Sequence, residues 1–356
     1  MRKTNDRTRV LLLEHQKQYP KAEIRDVFKF LYQSAFGCEH AVSSAQTAVE
    51  RIEKEYSGIP CDQRMDVQPL DGAYSRVSLG ILNKGMRAET LANLFVTSAK
   101  REVNGKCVLR EKLEVAITLV RERLLPFSEE EFIEAVSKWE NDGFPAVRHS
   151  EVFRQQYHPA YRVISNAYIP FLPLFATLDK LLETGMVCLA VEGGSASGKT
   201  TLGNLLGTLY DCTLLHMDDF FLQPAQRTPE RFTQVGGNVD YERFFDEVVS
   251  PFKRGETIAY RRFDCGSMSI QAPQMIVPKR LTVVEGAYST HPAFGKYYDV
   301  AVFLDVSPQL QKARIEKRNT PAFAKRFWEE WIPMERVYFR KTNVKARCDM
   351  VISIVE

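Results

Sequence analysis

Gly193-Gly-Ser-Ala-Ser-Gly-Lys-Thr-Thr201 is the stretch of this sequence that decides the fold. From Gly193 to Thr200 it matches the pattern G-x-x-x-x-G-K-[S/T]. The apolar run at residues 186–192 has the length of a buried strand, and leucines at helical spacing follow the match between residues 202 and 209. A strand, a glycine-rich loop and a helix in this order predict a phosphate-binding loop.

The residue types in this loop suit a nucleoside triphosphate. Glycines let consecutive backbone N–H groups approach an anion, and the following helix presents its unpaired N–H donors to the same phosphates. Lys199 adds a charge for the β- and γ-phosphates, and the Thr200 hydroxyl is a candidate Mg²⁺ ligand. We therefore predict ATP and Mg²⁺ as cofactors. The predicted nucleotide-binding residues are Gly193, Gly194, Ser195, Ala196, Ser197, Gly198, Lys199, Thr200 and Thr201. The alternative is a turn that only packs a strand on a helix.

Length and composition limit the class of protein. A chain of 356 residues is long enough for two domains, and 44% hydrophobic with 26% charged residues is typical of a soluble globular protein. A net charge of +3 implies neither a nucleic-acid nor a membrane partner. Seven cysteines without a C-x-x-C pair, no apolar signal segment and no membrane-length run predict a cytoplasmic protein. The sequence leaves homo-oligomer formation open.

The two halves of the sequence differ in periodicity. Before residue 180, apolar residues repeat at helical spacing, and Ser128-Glu-Glu-Glu131 is a capping box. The predicted helices cover residues 24–31, 45–56, 109–125 and 128–139. After residue 186, short apolar runs alternate with helical stretches, which is typical of a parallel α/β sheet. These runs are 188–191, 213–216, 281–284, 301–304 and 350–355. We predict an all-α domain at residues 1–180 and an α/β domain at 181–356.

Five further motifs follow the loop in the second half. They are His216-Met-Asp-Asp-Phe-Phe221, Gly236-Gly-Asn-Val-Asp-Tyr-Glu-Arg-Phe-Phe245, Ile258-Ala-Tyr-Arg-Arg-Phe-Asp264, Val283-Val-Glu-Gly-Ala-Tyr288 and Arg314-Ile-Glu-Lys-Arg318. In this order they resemble the uridine kinase and phosphoribulokinase family of small-molecule kinases. The resemblance covers residues 186–356, about half of the chain. It implies a doubly wound, mostly parallel sheet and transfer of a γ-phosphate to an alcohol.

The resemblance also implies roles for individual residues. Catalysis falls to Asp218 as the base, with Lys199 and Arg318; Asp219, Asn238, Asp240, Tyr260 and Arg314 bind the acceptor; Thr200 and Glu285 hold the metal. Asp219 departs from the family, whose members more often carry a hydroxyl there, so the two adjacent acids could exchange roles. Arg314 and Arg318, with Lys325 and Arg326, resemble the family's mobile lid.

Structural roles remain open for the same residues. The Asp218-Asp219 pair also suits a helix cap, and Asn238 with Asp240 also suits an ordinary turn. Tyr260 also suits a core, and the basic stretch also suits a solvated helix face.

The first half lies outside the resemblance but carries its own polar residues. These occur in Phe36-Gly-Cys-Glu-His40, Asp71-Gly-Ala-Tyr-Ser-Arg76, Arg148-His-Ser-Glu-Val-Phe-Arg154 and Tyr157-His-Pro-Ala-Tyr-Arg162. They indicate either a second ligand or metal pocket, or helix caps and surface ion pairs. The spacing matches no metal-binding pattern.

Together these features predict an ATP- and Mg²⁺-dependent kinase whose acceptor is an alcohol of a small molecule, with a nucleoside such as uridine as the leading choice. One alternative is the same chemistry on a sugar acid, a sugar phosphate or a pantothenate-like alcohol. A second alternative is a regulator that binds ATP without transferring phosphate; the presence of Asp218 and Glu285 speaks against it.

Overall fold

The computed structural model describes residues 2–38, 44–60, 65–99 and 105–355. The chain divides into two compact units, Met1–Asp179 and Lys180–Glu356. The predicted domains, 1–180 and 181–356, differ from these units by one residue. Whether each unit folds as an independent domain stays a prediction.

The first unit is mainly helical, as the apolar spacing predicts. Ser44 begins the third helix by accepting a hydrogen bond from the Thr47 N–H, and Ser128 caps the sixth in the same way through the Glu131 N–H. The helices are α1 (Arg2–Gln18), α2 (Ile24–Phe36), α3 (Ala45–Tyr56), α4 (Ala88–Ala99), α5 (Gly105–Arg121), α6 (Glu129–Asn141), α7 (Glu151–Tyr157) and α8 (Leu172–Thr184). All four predicted helices are present, but the helix predicted over residues 109–125 ends at Arg121. The division between the units lies within α8.

The prediction of an all-α first half needs correction, because this unit also contains an antiparallel sheet. Its strands are β1 (Val67–Leu70), β2 (Tyr74–Ser78) and β3 (Tyr161–Ser165), in the order β1-β2-β3. Two features explain why the sequence pattern does not predict this sheet. Polar Ser75 and Arg76 are buried in β2 and break the apolar pattern. The turn before β2 contains an Asp-Gly pair, with φ +118° at Gly72, and the prediction made no use of this turn signal.

A buried carboxylate ties α2 to the segment before α7. Asp26 accepts hydrogen bonds from the Ser150 hydroxyl at 2.7 Å and the Ser150 N–H at 3.0 Å, and its Oδ1 lies 2.9 Å from His149 Nδ1. Burial raises the pKa of Asp26, but bonds from His149, Ser150 and the Glu23 N–H outweigh it and lower the pKa from 3.8 to about 2. Burial, with the Arg76 and Lys29 charges, lowers the pKa of His149 to about 4.

We expect Asp26→Asn to destabilise the protein in a pH-dependent way. A depressed pKa contributes stability that is present above the unfolded value and is lost as the pH falls from about 4 to about 2. The shift corresponds to about 2 kcal/mol, or roughly 4–8 °C in melting temperature. Both proteins also lose stability between pH 6.5 and about 4, because only the unfolded state protonates His149 in that range.

Thermal unfolding at pH 7 and below pH 3 tests this expectation. The difference in melting temperature between wild type and Asp26→Asn should be large at pH 7 and should shrink below pH 3. Asp66→Asn, at an exposed position, is the matched control and should stay near wild type. A difference independent of pH would show that the Asp26 charge contributes nothing.

The second unit contains the predicted parallel sheet. Its strands are β4 (Val187–Gly193), β5 (Cys212–His216), β6 (Ile258–Asp264), β7 (Ser269–Ile276), β8 (Leu281–Glu285), β9 (Val300–Val306) and β10 (Met350–Ile354). Five of them form one sheet in the order β10-β9-β4-β8-β5, with all neighbours parallel, and β6 and β7 form a separate antiparallel hairpin. The α/β prediction for this half is therefore confirmed.

The order of the strands predicts where in the sheet a ligand would bind. In the five-stranded sheet, the first strand along the chain is β4, which lies at the centre and whose residues are all buried. The chain then forms β5 and β8 on one side of β4, and afterwards β9 and β10 on the other side. The direction of winding therefore reverses beside β4. In open α/β sheets ligands bind at such a switch point, outside the carboxyl ends of the strands.

Helices connect these strands. They are α9 (Lys199–Leu209), α10 (Pro229–Thr233), α11 (Tyr241–Phe244), α12 (Ser250–Lys253), α13 (Pro308–Arg318), α14 (Pro321–Arg326), α15 (Ile332–Thr342) and α16 (Val344–Arg347). A π-helical turn at Phe245–Val249 joins α11 to α12, and another at Phe327–Trp331 joins α14 to α15. Helix α9 follows β4 through the glycine-rich loop, and so begins at the switch point. Among the described residues, no helix has both the length and the apolar composition needed to cross a bilayer.

Candidate active site

The loop at residues 193–200, called the glycine loop below, has the backbone that its sequence predicts. Gly193 ends β4 with φ +149°, and a Cβ there would lie 2.8 Å from the Leu304 carbonyl oxygen. Gly198 precedes α9 with φ +101°. Left-handed φ values suit glycine, and a Cβ cannot approach a backbone oxygen this closely, so both positions require glycine. The strand, loop and helix match the predicted phosphate-binding arrangement.

Side chains from α13 and α15 hold the glycine loop in place. Glu335 accepts hydrogen bonds from the Ser195 N–H at 2.9 Å and the Ser195 hydroxyl at 2.7 Å, while Gln311 donates to the Ser195 carbonyl at 2.8 Å. Arg314 donates to the Ala196 carbonyl at 3.2 Å. These contacts fix the loop before any anion binds.

A second buried carboxylate supports the end of β4. Glu192, fully buried, accepts hydrogen bonds from the Thr290 N–H at 2.9 Å and the Tyr338 hydroxyl at 2.9 Å. Burial raises its pKa, and these bonds act against that rise. Satisfied in this way, the carboxylate anchors the strand next to Gly193.

Lys199 lies over the glycine loop. Its ammonium group donates to the Gly194 carbonyl at 2.9 Å, and the side chain is half-buried. Its charge lowers the pKa of Asp218 and of Glu335, acting in both against the larger effect of burial. The Lys199 ammonium group therefore bonds to the glycine loop and interacts electrostatically with the Asp218 and Glu335 carboxylates.

Thr200 and Glu285 lie together at the sheet edge. The Thr200 hydroxyl donates to Glu285 Oε1 at 3.0 Å, and His216 Nδ1 lies 2.6 Å from the same oxygen. The hydrogen bond to Glu285 is the main cause of the raised pKa of His216. Mg²⁺ in kinase sites takes few protein oxygens, with phosphate and water completing its shell, and this pair fits that requirement. The described residues contain no cluster of three or more His, Cys, Asp or Glu that could hold a metal unaided.

The two adjacent acids after β5 have different surroundings. Both lie in a single 3₁₀ turn, Met217–Phe220, and no described residue donates a hydrogen bond to the Asp218 carboxylate. Asp218 reaches solvent, yet surrounding protein atoms raise its pKa; Lys199 lowers that pKa and Glu285 raises it. Asp218 therefore presents an unbonded carboxylate beside the Lys199 cation and the Thr200–Glu285 pair.

Asp219, in contrast, is buried and bonded through both oxygens. Tyr260 donates to its Oδ2 at 3.1 Å, and Arg262 donates to its Oδ1 at 2.9 Å. Burial, together with the Asp219 charge, raises the pKa of Tyr260 to about 12. The predicted acceptor residues Asp219 and Tyr260 are thus brought into contact, and Arg262, which the sequence reasoning missed, completes the group.

Asp240 accepts hydrogen bonds from protein groups, and its predicted role in binding the acceptor does not require these bonds. It caps α11 by accepting from the Arg243 N–H at 3.2 Å, and its Oδ2 accepts from Arg243 Nε at 3.2 Å and Gln226 Nε2 at 3.0 Å. This matches the turn that the sequence left open. Asn238 lies beside the Tyr288 side chain, and no described residue donates to its buried Oδ1. An acceptor role for Asn238 and Asp240 stays a prediction.

The predicted lid cations divide into two groups. Arg314 contacts the glycine loop, as given above. Arg318 is exposed and its guanidinium lies 5.5 Å from the centre of the Phe327 ring. Lys325 and Arg326 pair along their helix with Glu329 at 3.5 Å and Glu330 at 3.0 Å. These contacts are those of a solvated helix face, so a lid role for Arg318, Lys325 and Arg326 stays a prediction.

The solved structures described below are distant likenesses of this chain. No family model matches the chain, and no curated protein matches it. A Bacillus stearothermophilus protein described as a possible uridine kinase has 21% identity and a TM-score of 0.38 over 50% of this chain and 98% of its own. A Silicibacter protein described as a candidate fructose transport system kinase has 22% identity and a TM-score of 0.40 over 47% of this chain and 90% of its own.

A third similar structure is a shikimate kinase from Bacteroides thetaiotaomicron. It has 16% identity and a TM-score of 0.27 over 47% of this chain and 86% of its own. Because all three similarities are distant, we infer the function from the residues of the site.

Proposed function

We propose that this protein is an ATP- and Mg²⁺-dependent kinase that transfers a γ-phosphate to a hydroxyl of a small molecule. The observation that carries this proposal is the unbonded carboxylate of Asp218, which interacts electrostatically with Lys199 of the glycine loop and with Glu285, the partner of Thr200. Phosphoryl transfer requires a phosphate cradle, a cation for the transferring group, a metal site and a base for the acceptor hydroxyl. The four requirements correspond to neighbouring groups of the second unit.

Asp218 acts as the base. As the acceptor oxygen forms a bond to the γ-phosphorus, the bond from that phosphorus to the leaving oxygen of ADP breaks, and the acceptor proton passes to the Asp218 carboxylate. The pKa of Asp218 is raised by its surroundings, which makes the carboxylate a better proton acceptor, while Lys199 favours its ionised form. Lys199 also stabilises negative charge on the phosphate oxygens.

Thr200 and Glu285 would hold Mg²⁺ through their oxygens. A bound Mg²⁺ would neutralise part of the negative charge on the phosphates. His216, bonded to Glu285, orients that carboxylate, and Glu335 with Gln311 keeps the loop in its binding conformation.

We further propose that the acceptor is a nucleoside, and uridine is the first compound to test. The family resemblance of the second half supports this choice. Asp219, Tyr260 and Arg262 form a hydrogen-bonded polar group that includes the residue next to the base in the chain, and polar groups of this kind suit the hydroxyls of an acceptor. A sugar acid, sugar phosphate or pantothenate-like alcohol uses the same chemistry and remains the alternative.

The second alternative, a nucleotide-binding regulator without transferase activity, is disfavoured by Asp218. A protein that only binds ATP gains nothing from an unbonded carboxylate next to the metal site, because the carboxylate repels phosphate. None of the cysteines that the structure describes forms a disulfide bond.

A screen of acceptors tests the proposed function. Purified protein with ATP and Mg²⁺ is incubated with nucleosides, sugars, hydroxy acids and pantothenate-like alcohols, and ADP release is measured with and without each compound. We expect at least one acceptor, uridine first, to stimulate ADP release well above the rate in its absence. If no compound stimulates ADP release while ATP binds, the regulator replaces the kinase.

A further inference from the structure

A basic cavity lies within the first unit. Its volume is about 710 Å³, and five cationic side chains line it: Lys29, Arg51, Arg148, Arg154 and Arg162. They come from α2, α3, the segment before α7, α7 itself and β3. Among the described lining residues Glu55 is the one carboxylate. The fold of this unit therefore gathers like charges from five separate elements at one concave surface.

Most of these cations have no acidic partner among the residues that the structure describes. Arg162 donates to Glu55 at 2.8 Å, which uses the carboxylate of the cavity. In the described part of the chain, no carboxylate pairs with Arg51, Arg148 or Arg154. Other arginines of this unit are paired, and examples are Arg9 with Glu122, Arg110 with Glu140 and Arg121 with Glu129. Positive charge at the basic cavity is thus left uncompensated by the described protein.

The buried cation Arg76 contacts two residues that line the cavity and adds to its positive charge. Arg76 is 3% exposed, donates to Gln33 Oε1 at 2.8 Å and lies 4.7 Å from the centre of the Tyr161 ring. Both Gln33 and Tyr161 line the cavity. Burial, followed by the charges of Arg76, Arg154 and Arg148, lowers the pKa of Lys29 to about 8. Burial and the neighbouring arginine charges thus both disfavour the protonated form of Lys29.

The wall also has fixed hydrogen-bonding geometry. His149 Nε2 lies 2.7 Å from the Tyr161 hydroxyl, and His149 Nδ1 is held by Asp26. The Asp26 oxygens also accept hydrogen bonds from Ser150. Asp26 itself does not line the cavity. Apolar Phe95 and Val163 complete the surface.

We propose that the basic cavity binds a small molecule that carries phosphate groups. Arginine recognises phosphate through paired N–H donors, and several converging arginines suit a group with more than one charge. A volume of about 710 Å³ lies in the range of small-molecule sites, and a concave, partly apolar wall suits a compact ligand. The proposal rests on the first unit alone and does not depend on the proposed kinase activity.

Titration calorimetry of the full-length protein with inorganic pyrophosphate tests the proposal. The cavity variant is Arg148→Ala/Arg154→Ala, whose two side chains are exposed, so that the fold should persist. The matched control is Arg25→Ala/Lys138→Ala, which removes two exposed charges of the same unit outside the cavity. Lys199→Ala separates binding at the glycine loop from binding at the cavity. Melting temperatures of all variants check folding, and Arg51→Ala replaces the cavity variant if it fails to fold.

We expect pyrophosphate to bind wild type, the control and Lys199→Ala with similar affinity at the cavity. Loss of a charged hydrogen bond costs about 10-fold or more in affinity, so the cavity variant should bind roughly 100-fold more weakly. Equal weakening in the cavity and control variants would overturn the proposal, because it indicates a general charge effect. Absence of binding to wild type, or binding removed by Lys199→Ala alone, would also overturn it.

Discussion

Replacing Lys199 with alanine should reduce the rate of phosphoryl transfer by at least about 10³-fold, because the side chain supplies a fixed cation for the transferring phosphate. Lys199 is held at the glycine loop by its bond to the Gly194 carbonyl. Removal of this cation leaves the charge that develops on the phosphate oxygens without its partner. Steady-state kinetics with the acceptor found in the screen measures the loss in kcat/KM.

The matched control is Lys253→Ala. Lys253 also donates to a backbone carbonyl, that of Phe294 at 3.5 Å, and it lies in the same unit on α12. Its replacement should leave kcat/KM unchanged. Full activity in Lys199→Ala, or an equal loss in both variants, would contradict the assignment of residues 193–200 as the phosphate site.

Replacement of Asp218 with asparagine should lower kcat by about 10²–10⁴-fold, with little change in ATP affinity. The amide keeps the shape of the side chain but cannot accept the proton of the acceptor hydroxyl. Because no described residue donates a hydrogen bond to the Asp218 carboxylate, the melting temperature should also change little. Nucleotide titration, kinetics and thermal unfolding of the same preparation measure the three quantities.

Asp219→Asn is the matched comparison, since it makes the same change one residue along the chain. Asp219 is buried and bonded to Tyr260 and Arg262, so its replacement should lower the melting temperature and should cost less in kcat. The reverse pattern, with a stable and inactive Asp219→Asn and an active Asp218→Asn, would assign the base to Asp219.

The parts of the fold that local sequence encodes were predictable. The glycine loop is read from consecutive residues, because its φ values and close contacts demand glycine at Gly193 and Gly198. The helices of the first unit and the parallel strands of the second follow from apolar spacing. The antiparallel sheet of the first unit was missed, since its strands have four or five residues and β2 buries the polar Ser75 and Arg76.

The contacts that support the site could not be predicted from sequence, because they join distant parts of the chain. Glu335 lies 140 residues from Ser195, which it holds, and Gln311 lies 116 residues away. Neither residue belongs to a local motif. Asp240 shows the converse case: its motif predicts a ligand contact or a turn, and its bonds to Arg243, three residues along the chain, are those of a local helix cap. The segment containing Glu39 and His40 lies outside the described residues.

We propose that Asp218 and the glycine loop together transfer phosphate from ATP to an alcohol. Phosphorus NMR of a reaction containing ATP, Mg²⁺ and the best acceptor of the screen tests it most directly. We expect a phosphate monoester signal that grows in step with ADP for wild type and is lost in Lys199→Ala and Asp218→Asn. Formation of ADP with inorganic phosphate alone, for every acceptor tested, would contradict it.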